Sequence, residues 1–353
     1  MTANNDNIGR LGDEPTCEVM YLNDGAGPQA KIVGAQRDNV VAAGERFLAA
    51  SGGDACLLLA GPLVSEAGRD DQSTEGAVAR CCAARFGYPG EPFDGTIDLI
   101  LDTFGGSLDS AFKTMLFVSR FTKRLRVFVP RHAKSAGTLI AIGANDLYMS
   151  PFAELGPLDT QIRDPRNPTD RVSALDCYQS VDYVREFGFS TLSQALKQLA
   201  AVTQGKLLLT DSLDAAAQFA IGSITPMLSQ TRSLDFGAWG RSLKMGERYA
   251  QILISRAADV ELGQAEKIAT RLVYGYTHHY FPIDVTEARD MGLNPREMTE
   301  DVYKTAIEIV STCNDNQICI EFVGERAGSA EENGASADGA VPDAAAVPAP
   351  SAG

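Results

Sequence analysis

The sequence predicts an α/β fold, and three observations carry that prediction. Two apolar strand candidates, Ile97–Leu101 and Leu125–Val129, each run into a turn holding glycine and then into a segment of helical periodicity. The chain has 353 residues, 44% of them hydrophobic, which suffices for one elaborated domain or two smaller ones. No internal repeat is found, and without a run of about eighteen apolar residues no transmembrane helix is expected.

Taken in order, residues 1–16 are polar and expected to be mobile. Residues 17–50 hold one or two short strands and a helix, with Val40 to Ala50 in helical spacing. Cys56–Leu59 reads as a strand ended by Gly61-Pro62. Residues 65–95 form a polar insert with a helix over Thr74–Phe86, read as a crossover, with a lid or partner surface as the alternative. In Ile97–Leu101 only Asp98 interrupts the apolar run. Gly105 and Gly106 follow; adjacent glycines permit positive φ and let a substrate approach the backbone. Ser107–Phe121 then places Leu108, Phe112, Met115, Leu116 and Ser119 on one helical side.

After Leu125–Val129, Pro130 to Lys134 is a polar link, and Ser135-Ala136-Gly137 opens a small apolar helix running to Gly143. Arg163 to Arg171 is a charged loop with prolines. Helices are expected over Tyr178–Phe187, Leu192–Thr203, Leu207–Ala220 and Gly246–Leu272, the last with a break near Gly263. Residues 296–324 hold one helix and a final strand, ICIEFV. The tail 326–353 is rich in Ala, Gly, Ser and Pro, is acidic, and has too little apolar area to fold, so it is expected to be disordered. The expected organisation is a mobile segment 1–16, a domain 17–325 and the disordered tail. Within the domain lie a core at 96–163, a helical extension at 174–272 and a C-terminal segment at 273–325.

The formal charge of −15 argues against a nucleic-acid partner, which needs clustered Lys and Arg, and against an anionic membrane patch. The N-terminus lacks the apolar stretch of a secretory signal. Seven cysteines without regular spacing, no C-x-x-C pair and only three histidines argue against zinc and for reduced thiols in a cytoplasmic setting. Cys81 and Cys82 are vicinal, and Cys313 and Cys319 lie six apart.

Ser135 is the first candidate for chemistry. A serine at a helix start is, on its own, most often an N-cap. The preceding Gly-Gly turn changes the weighting. A helix N-terminus offers N–H groups and a positive dipole end to a developing oxyanion, and the glycine turn can supply a second donor. The donors singled out are the N–H of Gly105 or Gly106 and that of Ala136.

TFGGS, then KSAGTLIAIGANDLYMSPFAELGPLDTQI, then HHYFPIDVTEARDMGL resemble the serine dehydrogenase proteinase family of Clp-fold serine peptidases, relatives of signal peptide peptidase A and the Clp protease subunit. The likeness covers residues 95–163 and, less closely, 273–295. It implies a Clp/crotonase-like fold of repeated ββα units with a helical extension and disordered termini. It also implies a serine peptidase needing no metal or organic cofactor, acting on peptides or unfolded segments, and assembled as a homo-oligomer.

The base stays open among three groups. His279, with His278 and His132 as further histidines, falls in the segment resembling the end of the Clp fold. Where the Clp protease has its histidine this chain has Leu158-Asp159, a departure that makes Asp159 a candidate acid orienting a histidine from the later segment; triads recur in different chain orders. By resemblance to signal peptide peptidase A, a lysine is the third option, with Lys206 or Lys197 nearest; Lys134, beside Ser135, is expected to point away. Leu155, Gly156, Pro157 and Leu158 begin a stretch to Ile162 along which a peptide would pair by strand addition. Rival readings are a crotonase-type acyl-CoA enzyme, against which the serine speaks, and an inactive scaffold. No G-x-G-x-x-G follows a strand, so nicotinamide binding is not expected.

Overall fold

The computed structural model describes residues 18–20, 34–65, 73–87, 92–163, 171–257, 260–313 and 318–325. The segment 1–16 and the tail 326–353 lie outside the described residues, as do 66–72 and 88–91 of the polar insert and 164–170 of the charged loop.

A seven-stranded sheet carries a mixed α/β fold. β1 (Glu18–Met20), β2 (Ala55–Ala60), β3 (Phe93–Asp102), β4 (Thr122–Val129), β6 (Asp146–Met149), β10 (Arg296–Glu297) and β11 (Ile318–Glu325) stand in the order β1-β11-β2-β3-β4-β6-β10. The pairs from β2 to β10 are parallel, and β11 runs antiparallel to both β1 and β2. All of β2 and the stretch Ile97–Asp102 of β3 are buried, as parallel strands covered on both faces require. Alternate residues serve two cores. Leu57, Leu99 and Val127 face one; Leu58, Ile100 and Phe128 face the other. Asp98, in the middle of β3, is fully buried and is held by Arg126 of β4 through two 2.6 Å bonds and by Ser51 Oγ at 2.6 Å.

One face is covered by α1 (Gly34–Ser51) and α10 (Glu300–Val310). The other is covered by α2 (Thr74–Phe86), α3 (Leu108–Val118), α4 (Ala136–Ile142), α7 (Ser233–Ala257), α8 (Leu262–Tyr274) and α9 (Val285–Met291). Beyond the carboxyl ends of the strands runs a row of short pairings. β5 (His132–Ala133) lies parallel to β7 (Glu154–Leu155), and single bridges join Leu63 to Gly106, Thr103 to Ala133 and Leu155 to Ile283. A small hairpin of β8 (Gln161–Arg163) and β9 (Arg171–Ser173) leads into the helical extension.

That extension departs from the expected helices. Tyr178–Phe187 and Leu192–Thr203 are one helix, α5 (Ala174–Thr203), continuous through Gly188. A Cβ at Gly188 would come 3.3 Å from the Ile224 side chain, so the glycine lets α6 (Leu209–Leu228) pack close instead of breaking the helix. α6 also runs past the expected end at Ala220. α7 starts at Ser233 instead of Gly246, because Phe236 stacks on Tyr178 with ring centroids 4.8 Å apart and Gly240 sits under the same tyrosine. The break before α8 precedes Leu262, and Gly263 lies inside the first turn.

Leu99 is 1% exposed at the centre of β3. Leu99→Ala is expected to lower unfolding stability by about 2–5 kcal/mol, read from the urea midpoint at unchanged slope.

Candidate active site

The Gly-Gly turn is clamped from two sides. On one, Leu63 N–H donates to Gly105 O at 2.9 Å and Ser107 N–H to Leu63 O at 2.8 Å, bracketing Gly106. On the other, Thr103 N–H donates to His132 O at 2.8 Å and Lys134 N–H to Thr103 O at 3.0 Å. Gly105 has φ +100°, and a Cβ there would lie 2.7 Å from Lys134 O and 2.9 Å from Ser135 Cβ. Only glycine fits both that backbone and that space. The turn is thereby pressed against the start of α4.

Ser135 precedes α4 with φ 50° and ψ −115°, outside the allowed regions for an L-residue with a side chain, a conformation that stores about 1–3 kcal/mol. It does not cap the helix: its hydroxyl makes no cap hydrogen bond, and Oγ has no hydrogen-bond partner among the described residues. Gly137 N–H is taken by Lys134 O at 2.8 Å. Gly105 N–H, one of the expected oxyanion donors, is taken by Thr103 Oγ1 at 3.0 Å. That leaves Gly106 and Ala136, whose N–H groups make no hydrogen bond among the described residues. The position suits a nucleophile: a sharp, strained turn entering a helix exposes a hydroxyl beside backbone donors.

Asp159 and His279, far apart in sequence, approach each other here. His279 Nδ1 lies 3.8 Å from Asp159 Oδ2, with both side chains largely buried. Nδ1 is buried without a well-formed hydrogen bond. Burial holds His279 below its usual pKa of 6.5; the Asp159 carboxylate and carbonyl pull upward, while His278 and Lys134 push further down. Burial likewise raises the Asp159 carboxyl, opposed by hydrogen bonds from Ser173 and the Leu175 N–H. Its Oδ1 accepts from Leu175 N–H at 3.2 Å, so the carboxylate sits at the N-terminus of α5. Sequence reasoning missed this anchor. Its signal was Ser173 followed by Asp176, an N-cap whose hydroxyl accepts from Asp176 N–H at 2.8 Å.

Two other sequence candidates, Lys206 and Lys197, are exposed. Lys206 lies exposed on the turn after α5 and makes no side-chain ion pair or hydrogen bond among the described residues, so it lacks the burial a lysine base needs. Lys197 is exposed on α5. The stretch from Leu155 offers no free edge for strand addition, because its backbone is already paired. Leu155 exchanges bonds with Ile283 at 2.9 and 3.2 Å, and Leu158 N–H donates to Leu272 O at 2.8 Å. Gly156 exchanges bonds with Thr138 Oγ1 at 2.8 and 2.9 Å, and Pro157 is buried between them. The pairing partner of this segment is the chain itself.

Lys134 is buried, its Nζ 2.5 Å from Glu154 Oε2 and 3.2 Å from Leu155 O. His278 is exposed and accepts from Tyr280 N–H at 3.1 Å. His132 stacks on the exposed Phe104 ring, centroids 4.8 Å apart. Among the described residues no three His, Cys, Asp or Glu side chains gather as a metal site would require.

The geometry is that of a mixed α/β protein, consistent with a ClpP-like fold, with a serine at a strained helix entrance. Residues 88–182 match the family described as ClpP-like SDH-type serine proteinase, the family the motifs resemble. Two relatives from Methanocaldococcus jannaschii, both described as uncharacterized proteins, MJ0137 and MJ1495, are 41% and 37% identical over 71 residues. Each match takes in 20% of this chain and spans 25% and 24% of the relatives, about a quarter of their length.

Thr138, fully buried on α4, has one hydroxyl proton, shared between Ala133 O at 2.7 Å and Gly156 O at 2.8 Å, while its oxygen accepts from Gly156 N–H. Thr138→Val leaves the Gly156 N–H unpaired and is expected to lower stability by about 1–3 kcal/mol in urea denaturation, whether or not the site is active.

Proposed function

We propose that this protein is a serine endopeptidase acting on peptides or unfolded chain segments, with Ser135 as nucleophile, His279 as base and Asp159 as the acid that orients it. The observation that carries the reading is Ser135 itself: a strained, uncapped serine with an unengaged hydroxyl at a helix N-terminus. A residue that merely capped the helix would use that hydroxyl and relax its backbone. The family match, whose description is of a serine proteinase, supports the same reading.

In the proposed reaction His279 Nε2, opposite the Nδ1 that faces Asp159, takes the Ser135 proton as Oγ attacks the scissile carbonyl. The tetrahedral oxyanion is held by the Gly106 and Ala136 N–H groups. Collapse expels the amine, which receives the proton from His279, and leaves an acyl ester on Ser135. Water, deprotonated by His279, attacks the ester, and the serine leaves with the proton. Burial, by keeping the imidazole neutral, suits it to act as a base. No step calls for a metal or organic cofactor. Among the described residues no two cysteines are joined in a disulfide, which fits the proposed reducing, cytoplasmic setting. One observation favours a second reading, an inactive binding scaffold: the 3.8 Å from His279 to Asp159 is longer than a hydrogen bond.

Intact-mass analysis after fluorophosphonate treatment separates the two. A single adduct on the wild type, absent from Ser135→Ala, is expected; no adduct on either leaves the scaffold. His279→Gln is expected to slow adduct formation by about 10²–10⁴. The pH dependence follows from the sign of the His279 shift. The ring must be neutral to act and its pKa lies below 6.5, so the acid limb of the labelling rate is expected with its midpoint below pH 6.5. An acid limb centred above 6.5 contradicts the assignment of His279.

A further inference from the structure

Two cysteines that the proposed chemistry leaves unused, Cys313 and Cys319, meet where α10 ends against β11. Cys313 stands in the turn after α10, its N–H donating to Val310 O at 3.1 Å, and is partly exposed. Cys319 lies in β11, is 3% exposed, and pairs in register with Ala60 of β2. The two thiols touch: Cys319 S–H donates a hydrogen bond to Cys313 Sγ. Both side chains pack on the core under α1 and α10. The vicinal Cys81 and Cys82 are different, since successive positions of a helix such as α2 do not face each other. No third His, Cys, Asp or Glu gathers with Cys313 and Cys319 among the described residues, so the pair lacks the donor set of a metal site.

Cys313 opens on a cavity of about 50 Å³ whose wall includes Ala60, Asp102, Thr103 and Arg131. That volume holds a molecule the size of water or hydrogen peroxide. Arg131 Nε donates to Asp102 Oδ2 at 3.1 Å. The guanidinium brings positive charge to the thiol, the setting in which a thiolate forms and reacts. The hydrogen bond from Cys319 holds the Cys313 thiol below its usual 9.0, with burial opposing; the Thr312 hydroxyl adds to the lowering, Asp102 pushes up and Arg131 down. Burial pushes the Cys56 and Cys82 thiols the opposite way. Cys313 is thus the accessible thiol of the pair and Cys319 the covered one.

We propose that Cys313 and Cys319 form a peroxide-sensing dithiol, in which Cys313 is oxidised first and Cys319 closes a disulfide between the end of α10 and β11. The Cys313 thiolate attacks one oxygen of hydrogen peroxide. The O–O bond breaks, hydroxide leaves and takes up a proton as water, and the sulfur, oxidised by two electrons, becomes a sulfenic acid. The Cys319 thiol then attacks that sulfur: the S–S bond forms, the S–O bond breaks and a second water leaves. Thiols already in contact need only a short movement to the S–S distance of about 2.05 Å. A low-molecular-weight thiol reopens the bridge by exchange, as a reducing compartment requires of a transient disulfide. The dithiol acts whatever the role of Ser135.

The test is hydrogen peroxide treatment of the reduced full chain, followed by alkylation, trypsin and mass analysis. Cleavage after Lys304 and Arg326 releases Cys313 and Cys319, and no other cysteine, in one peptide, 305–326. In the wild type this peptide is expected to become lighter by two hydrogens, about 2 Da, and closed to alkylation. It is expected to do so about ten-fold faster, or more, than the partly exposed Cys81 and Cys177 are oxidised. Cys319→Ser is expected to stop at a sulfenic acid on Cys313, trapped by dimedone, and Cys313→Ser to leave Cys319 unmodified over the same time. Cys319 is buried, so if Cys319→Ser loses its circular dichroism, equilibration of the wild type in glutathione redox buffers decides: peptide 305–326 must pass to the bridged form in one two-electron step. A peptide that stays open, or that carries glutathione on Cys313 without closing, overturns the proposal. So does a bridge from either residue to another cysteine or another copy, or a folded Cys319→Ser with no trapped sulfenic acid at Cys313.

Discussion

The contact on which the rest depends is the seating of Gly105 against the Lys134–Ser135 backbone. It joins the ends of β3 and β4, and it does so through backbone atoms that no side-chain change can replace. With Leu63 on one flank and Thr103 on the other, the turn cannot slide. Its closeness to Ser135 Cβ and to the Ala136 N–H brings the serine and the backbone donors into one compact group. Parallel strands deliver this group because their carboxyl ends all emerge on one side, where connecting loops meet. The strain at Ser135 is held by the surrounding bonds: Lys134 is fixed by Thr103 through its N–H and by Glu154 through its side chain, and Gly137 is fixed by Lys134.

Burial is the second ruling effect. Asp159 and His279 are close enough to attract, yet desolvation moves each toward its neutral form. The Asp159 carboxylate keeps its place through the Leu175 N–H at the start of α5. For His279 desolvation favours the uncharged imidazole. The same burial makes the pair sensitive to packing by its neighbours.

Much of the core was legible in sequence because its signals are local. Ile97–Leu101, Gly105-Gly106 and Ser135-Ala136-Gly137 state strand, turn and helix start within a few residues, and the structure has them in those roles. The approach of Asp159 to His279 was visible only as a possible rearrangement of chain order, since nothing local joins residues so far apart. The pairing of Leu155 and Gly156 was not legible: an edge is free only if no other segment reaches it, and Ile283 and Thr138 come from elsewhere. In the extension, the sequence reading ended a helix at Phe187, whereas the helix runs on through Gly188, whose lack of a side chain serves a helix crossing. Lys206 was weighed on distance along the chain, and exposure removed it.

The position of β11 bears on how the molecule comes together. This strand, the last described, is not at an edge: it lies between β1 and β2. The segments around Ser135 are close neighbours along the chain and can assemble as they emerge during synthesis. The first described strand, made before any of them, has its only ladder partner among the described residues in β11 and must wait for residues 318–325. Order of manufacture and order of closure therefore run opposite at the two ends of the chain. Until the late strand arrives, the open side of β2 is bare backbone, and a nascent chain stalled there exposes a sheet edge to its neighbours on the ribosome.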